Sequence, residues 1–331
     1  MVQGNYKYSL ILLLSLLNAG HAATNNTITP SENKVYEDMS IRDCRGCHDG
    51  IYRERFEPIK NPECSECHAP PSERGRLIAE VKRRGEPGVK RIKDRGKELK
   101  DNVEMVYIPA GKFIMGSDER MPDETPAHEV YVKAFYIDKY EVTNERYEKF
   151  IKETGHRSPL HWVTGTYPEG KGNHPVVFVS WFDVFDYCKW AGKRLPSESE
   201  WEKAARGTDG RNLPWGNYMD SEKANMPISN IGDTTPVGSY EAGKSPYGLY
   251  DMAGNAYEWV EEWYYLYPGS LAKGKDYEKY AGRKNKILKG GSWYDCLAYS
   301  CGLSAFTFNR AFFDPAIRNN SFGFRCAKSA E

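Results

Sequence analysis

The sequence predicts an α+β fold, rich in loops, behind a small N-terminal appendage with little regular structure of its own. Three observations carry that reading. In residues 104–116, apolar residues flank a Pro109-Ala110-Gly111 turn, the pattern of a β-hairpin. Three segments between Thr143 and Gly207 pair helix-start and helix-stop residues with an apolar face. Beyond Gly207 the helix period vanishes, and Gly, Pro, Asn and aromatic residues imply long loops on short strands.

The helices have legible ends. The first runs from Thr143 as N-cap to Gly155, with Tyr147, Phe150 and Ile151 on one face. The second opens on the capping box Ser180-x-x-Asp183, buries Val184, Phe185 and Cys188, and stops at Gly192. Ser197-x-x-Glu200 caps a third that ends at Gly207.

The N-terminus carries different signals. Lys7, the apolar run from Leu10 to Leu17 and the small residues around Gly20-His21-Ala22 read as a secretory signal over residues 1–22. That run is too short to span a bilayer comfortably, and no second stretch approaches transmembrane length, so the mature chain is expected without a membrane span. Its expected location is the periplasm or the extracellular space. Residues 23–42 form a polar leader expected to be poorly ordered.

Residues 43–71 hold two Cys-x-x-Cys-His pentapeptides: Cys44, Cys47 and His48, then Cys64, Cys67 and His68. This is the attachment pattern of c-type haem. Each thiol pair forms thioethers to the porphyrin, and the adjacent imidazole reaches the iron. The four cysteines also fit a zinc ribbon, yet zinc gives no reason for a His directly after both pairs. With only 7 His in 331 residues, two chance placements are improbable. Two covalent haems are therefore expected, serving as most of the core of so small a segment. His128, His156, His161, His174 and Met39 are candidate sixth ligands, among which the sequence does not choose.

Residues 72–103 are dense in Lys, Arg and Glu, with Gly85, Pro87, Gly88 and Gly96 as breakers, and read as a charged linker. Its basic excess could meet an acidic redox partner. The whole chain balances 46 basic against 46 acidic residues, which argues against nucleic acid as a partner. Residues 104–331 form the large domain, and 23 Tyr and 8 Trp suit loops held by aromatic packing.

A succession of motifs in this domain points to a family. Met105-Val-Tyr-Ile-Pro-Ala-Gly-Lys-Phe-Ile-Met-Gly-Ser117 is followed by Asp138-Lys-Tyr-Glu-Val-Thr-Asn144 and His174-Pro-Val-Val-Phe-Val-Ser-Trp181. Then come Trp190-Ala-Gly-Lys-Arg-Leu-Pro-Ser-Glu-Ser-Glu-Trp201, Tyr247-Gly-Leu-Tyr-Asp-Met-Ala-Gly-Asn-Ala-Tyr-Glu-Trp259, Gly290-Gly-Ser-Trp293 and Gly323-Phe-Arg325. In that order they resemble the formylglycine-generating enzyme, or sulfatase-modifying factor, family over residues 104–328. The resemblance implies an α+β fold related to C-type lectins and often stabilised by calcium.

Its implications for sites are specific. Asp251, Gly254, Ala256 and Glu258 match a family calcium site, with side-chain and carbonyl oxygens suited to that ion. Asn225, the Met226 carbonyl and Asp233 would form another, in a stretch shorter here than in the enzymes. The plainer alternative is that these groups satisfy loop backbones. Cys188 and Cys326 match a family disulfide.

Ser292 precedes Cys296 and Cys301, whose five-residue separation matches the family's catalytic thiol pair that binds copper(I). A structural disulfide between the two is the alternative. Two departures stand out: one extra residue lies between Ser292 and Cys296, and Gly302-Leu-Ser-Ala-Phe-Thr-Phe308 replaces an arginine-rich stretch. His174, which lies in a family motif, is expected to be structural.

Three functions follow as expectations. One is an oxidoreductase whose haems exchange electrons with a redox partner protein while the large domain holds a protein or peptide substrate. The second is an electron-transfer protein with a calcium-stabilised binding module. The third is a maturation factor for a periplasmic reductase or a sulfatase.

Overall fold

The computed structural model describes residues 99–274, 276–294 and 303–330. The signal, the leader, both haem motifs, most of the linker and the Cys296–Cys301 pair lie outside the described residues. Among the described residues no helix is long and apolar enough to cross a membrane.

Among the described residues nine short strands build three sheets. β1 (Met105–Ile108), β4 (Phe135–Asp138) and β9 (Ala327–Ser329) form an antiparallel sheet in the order β1-β4-β9. β2 (Gly111–Met115) and β3 (His128–Val132) form an antiparallel ribbon. β5 (Tyr257–Trp263), β6 (Lys286–Lys289), β7 (Ala311–Phe313) and β8 (Phe322–Gly323) form a third sheet, ordered β7-β6-β5-β8, in which only β5 and β8 run parallel.

The hairpin expected around Pro109-Ala110-Gly111 does not form. β1 pairs with β4 and β2 with β3, so the turn passes the chain from one sheet to another. The buried Lys203 ammonium donates to the carbonyls of Pro109 (2.6 Å) and Gly111 (3.0 Å), holding that corner. A turn signal is local, whereas pairing is decided by distant strands.

The helices begin and end close to where their caps place them. α1 (Asn144–Thr154) starts on the Thr143 hydroxyl and ends at Gly155, whose φ is +72°. α2 (Trp181–Trp190) carries the Ser180/Asp183 capping box, and α3 (Glu198–Arg206) the Ser197/Glu200 box. α2 buries Tyr187 and Trp190 besides Val184 and Cys188, while Phe185 is only partly buried.

β5 divides the interior by its period-two alternation. Trp259 enters a core formed with Tyr147 and Phe150 of α1, Val184, Tyr187 and Trp190 of α2, and Phe322 and Phe324. Val260, the next residue, enters a second core with Ile108, Phe113, Phe135, Ile137, Trp201 of α3 and Ile287. Burying each such side chain stabilises by about 1.5–3 kcal/mol. The Cys188–Cys326 disulfide ties α2 to the strand end leading into β9, across 138 residues of sequence.

The end of the linker is part of this body. Asp101 is buried between the Lys193 ammonium (2.7 Å) and the Arg146 guanidinium (2.7 Å), both of which also bind Asp138. Burial opposes its ionisation, but the two cations hold its carboxyl below the ordinary range.

Candidate metal centre and the turn before the thiol pair

Three loops converge beside the start of β5. Residues 251–256 lead into the strand, residues 225–235 lie against them, and Gly290–Trp293 follows β6. The Asn255 N–H donates to the Asn225 carbonyl (2.8 Å), and the Gly254 N–H donates to the Gly290 carbonyl (2.8 Å). The Trp293 N–H returns to the Asn255 carbonyl (3.1 Å). Glycine is required where they cross: Gly254 has φ +77°, and a Cβ there would lie 2.3 Å from the Asn225 carbonyl oxygen. A Cβ on Gly291 (φ +70°) would lie 2.7 Å from Ser304 Oγ.

The two candidate calcium sets are thereby neighbours, with different chemistry. Asn225 is buried; its Nδ2 donates to the Asp233 carbonyl (2.8 Å) and to Asn255 Oδ1 (3.3 Å). Its Oδ1 is a buried oxygen with no hydrogen-bond donor among the described residues. A buried carbonyl oxygen without a donor suits a hard cation, so this set fits calcium. The Met226 carbonyl accepts the Ser229 N–H (2.8 Å) and keeps its second lone pair. The Asp233 carboxylate accepts from Thr234 and from Lys171 Nζ (2.9 Å).

The second set is more committed. Both oxygens of Glu258, fully buried, receive Arg325 (2.7–2.9 Å), and Oε2 also accepts Trp201 Nε1 (2.8 Å). The rest of the Arg325 fork serves the carbonyls of Asp138, Lys139 and Tyr250. Asp251 Oδ2 accepts the Gly238 N–H (2.7 Å). Burial pushes the Asp251 carboxyl up to about 6, with the Glu258 charge adding and Arg325 opposing. Glu141 is raised well above its ordinary value, by burial first and then by Asp251 and Glu258. Three buried carboxyl groups thus feel the charge of one guanidinium, which bonds Glu258. Among the described residues no three His, Cys, Asp or Glu side chains converge as a metal cluster, so a cation here would draw on amide and carbonyl oxygens beside single carboxylates.

The Ser292 hydroxyl is closed on its own turn, accepting the Tyr294 N–H (3.1 Å) and donating to the Tyr294 carbonyl (2.9 Å). Past the undescribed Cys296–Cys301 stretch, Phe306 and Phe308 stack with ring centroids 5.5 Å apart. The Arg120 guanidinium lies 4.5 Å from the Phe306 ring centre and donates to the Leu303 carbonyl (2.8 Å). An arginine from a distant loop therefore covers the apolar stretch.

The histidines spread out. His156 pairs with Asp183 (3.0 Å), His128 with the Pro126 carbonyl (2.8 Å), and His174 Nδ1 lies 3.0 Å from Thr234 Oγ1. Burial lowers His161 to about 4. Sequence reading missed Glu141, Asn255 and Arg325. Glu141 stands in the Asp138–Asn144 motif and Asn255 in the Tyr247–Trp259 motif, but neither motif names a partner more than a hundred residues away.

The described domain is a loop-rich α+β body with oxygen-donor loops beside a Gly-Gly-Ser turn. Residues 92–330 match the model of the sulfatase-modifying factor enzyme 1-like domain, and the chain belongs to that family. It is 32% identical over 287 residues to the formylglycine-generating enzyme of Mus musculus, covering 68% of this chain and 75% of that one. It is 36% identical over 269 residues to a protein of Chlamydia caviae named serine/threonine-protein kinase pkn1, covering 74% of this chain but only 42% of that relative's length. The structure of PvdO from Pseudomonas aeruginosa superposes with a TM-score of 0.58 at 30% identity, over 71% of this chain and 97% of that one.

Proposed function

We propose that this chain is an exported dihaem c-type cytochrome carrying a formylglycine-generating-enzyme-like domain, and that it acts as an oxidoreductase or electron-transfer protein. The observation that carries the proposal is the pair of Cys-x-x-Cys-His motifs, Cys44 to His48 and Cys64 to His68, ahead of a family domain. The haems would exchange electrons with a redox partner protein outside the cytoplasm. Calcium would be held by Asn225 Oδ1, the Met226 carbonyl and Asp233, with Asp251 and the Gly254 and Ala256 carbonyls beside them. There it would stiffen the loops that carry the Gly290–Trp293 turn. Cys296 and Cys301, past that turn, would form a thiolate pair suited to copper(I). Protein matured with c-type haem assembly and purified anaerobically should show c-type absorption bands that sharpen on reduction. A colourless protein with bound zinc would overturn the proposal.

A second reading is a binding or maturation module without thiol chemistry. It is favoured by the closed Ser292 hydroxyl and by Phe306 and Phe308 standing in place of arginines. Stoichiometric copper(I) uptake by the reduced protein, lost in Cys301→Ser, supports the first reading, and absence of uptake supports the second.

A further inference from the structure

We propose that Glu141 is a positioning residue for the Gly290–Trp293 turn, acting through Asn255. Glu141 lies between β4 and α1 and is fully buried. Its two oxygens are divided between two donors: Oε1 accepts the Ala256 N–H (3.0 Å) and Oε2 accepts Asn255 Nδ2 (2.6 Å). Only a side chain with two acceptor oxygens meets both, which is why a carboxyl group stands here and an amide would not serve.

Asn255 is the relay. Its φ of +61° is in the left-handed region, where a non-glycine residue must be held by its surroundings. Glu141 takes its amide N–H, while its Oδ1 accepts the Thr235 N–H (2.9 Å) and Asn225 Nδ2 (3.3 Å), so its side chain is fixed from both sides. Its backbone carbonyl in turn receives the Trp293 N–H, and the preceding Gly254 N–H holds the Gly290 carbonyl. The turn is thus fastened at both ends to a loop whose conformation Glu141 sets. No hydrogen bond of Glu141 to the turn itself is needed.

The chemical consequence, control of where the chain enters the thiol stretch, rests on the thiol-site reading above. The test separates the two. In Glu141→Gln, the Gln nitrogen faces an N–H and one bond is lost. Amide exchange at Trp293 and Gly254 should rise about tenfold, with Tyr187 in α2 unchanged. Phe150→Leu, chosen as a control in the other core, should lower the melting temperature without that local effect. If Glu141→Gln does not fold, Asn255→Gly keeps the left-handed backbone, deletes the relay and should give the same exchange pattern.

Exchange at Trp293 no faster than in the Phe150→Leu control would overturn the positioning role, whatever copper does. Fast local exchange with weakened copper(I) uptake supports both the role and its consequence. Fast local exchange in a protein whose wild type takes up no copper(I) supports the positioning role and removes the thiol-site reading.

Discussion

Two regions packed against β5, the core beneath α1 and α2 and the seam where the loops meet its first residues, solve the same packing problem with different chemistry. Towards α1 and α2 the interior is aromatic: Tyr147 and Tyr187 stack at 5.7 Å, Phe324 meets Tyr187 edge-on, and the Cys188–Cys326 bond crosses the same space. Towards the loops the interior is polar, with Glu141, Asp251 and Glu258 around Arg325 and Asn255 joining three segments. Dispersion and burial in the aromatic core are spread over many contacts, so no single one decides the fold. In the polar seam stability rests on a few directional bonds between named groups, and losing one leaves a buried charge or donor without compensation. The aromatic core holds the body together, and the seam sets the shape of the candidate site.

That contrast can be broken first at Arg325. Replacing Arg325 with Met leaves Glu258 buried without its guanidinium, and the expected loss is about 3–5 kcal/mol in urea unfolding. A loss below about 1 kcal/mol would mean that the seam tolerates an unpaired carboxylate, and the comparison would fail. On the other side, the double replacement Cys188→Ala and Cys326→Ala should cost about 2–5 kcal/mol. Exchange at Trp293 should stay at its wild-type rate relative to the rest of the domain. Selective loosening of the turn in that variant would show the two regions to be one.

A third variant reads a carboxyl at the far end of β5 by pH. Burial, reinforced by Glu198, pushes the Glu262 carboxyl up from 4.5 to about 7. Between those values the folded state keeps a proton that the unfolded state has lost, so stability should fall as pH rises from about 4.5 to about 7. The difference is about 3 kcal/mol at most, and Glu262→Gln should flatten that slope. An unchanged slope in Glu262→Gln would assign it to other groups.

Legibility in the sequence followed the range of the interaction. Thr143 with Gly155, Ser180 with Asp183 and Ser197 with Glu200 act within a few residues, and the helix limits they mark are close to those observed. The Pro109-Ala110-Gly111 turn was equally visible, but which strands it joins depends on β3 and β4. The seam was the least legible. Asp251 and Gly254 stand in a family motif and Asn225 and Met226 follow from the resemblance, yet Arg325 meets Glu258 across 67 residues and Glu141 meets Asn255 across 114. No local pattern encodes such a pairing, because only the tertiary fold brings its partners together.

The intact mass of the matured, unfolded chain tests the dihaem assignment most directly. The dihaem protein should appear as a chain cleaved near Ala22 and carrying two covalent haem additions, with the additions lost one at a time when Cys44 with Cys47, or Cys64 with Cys67, is replaced by Ala. A chain of unmodified mass that binds one zinc ion through those four cysteines when folded would contradict it.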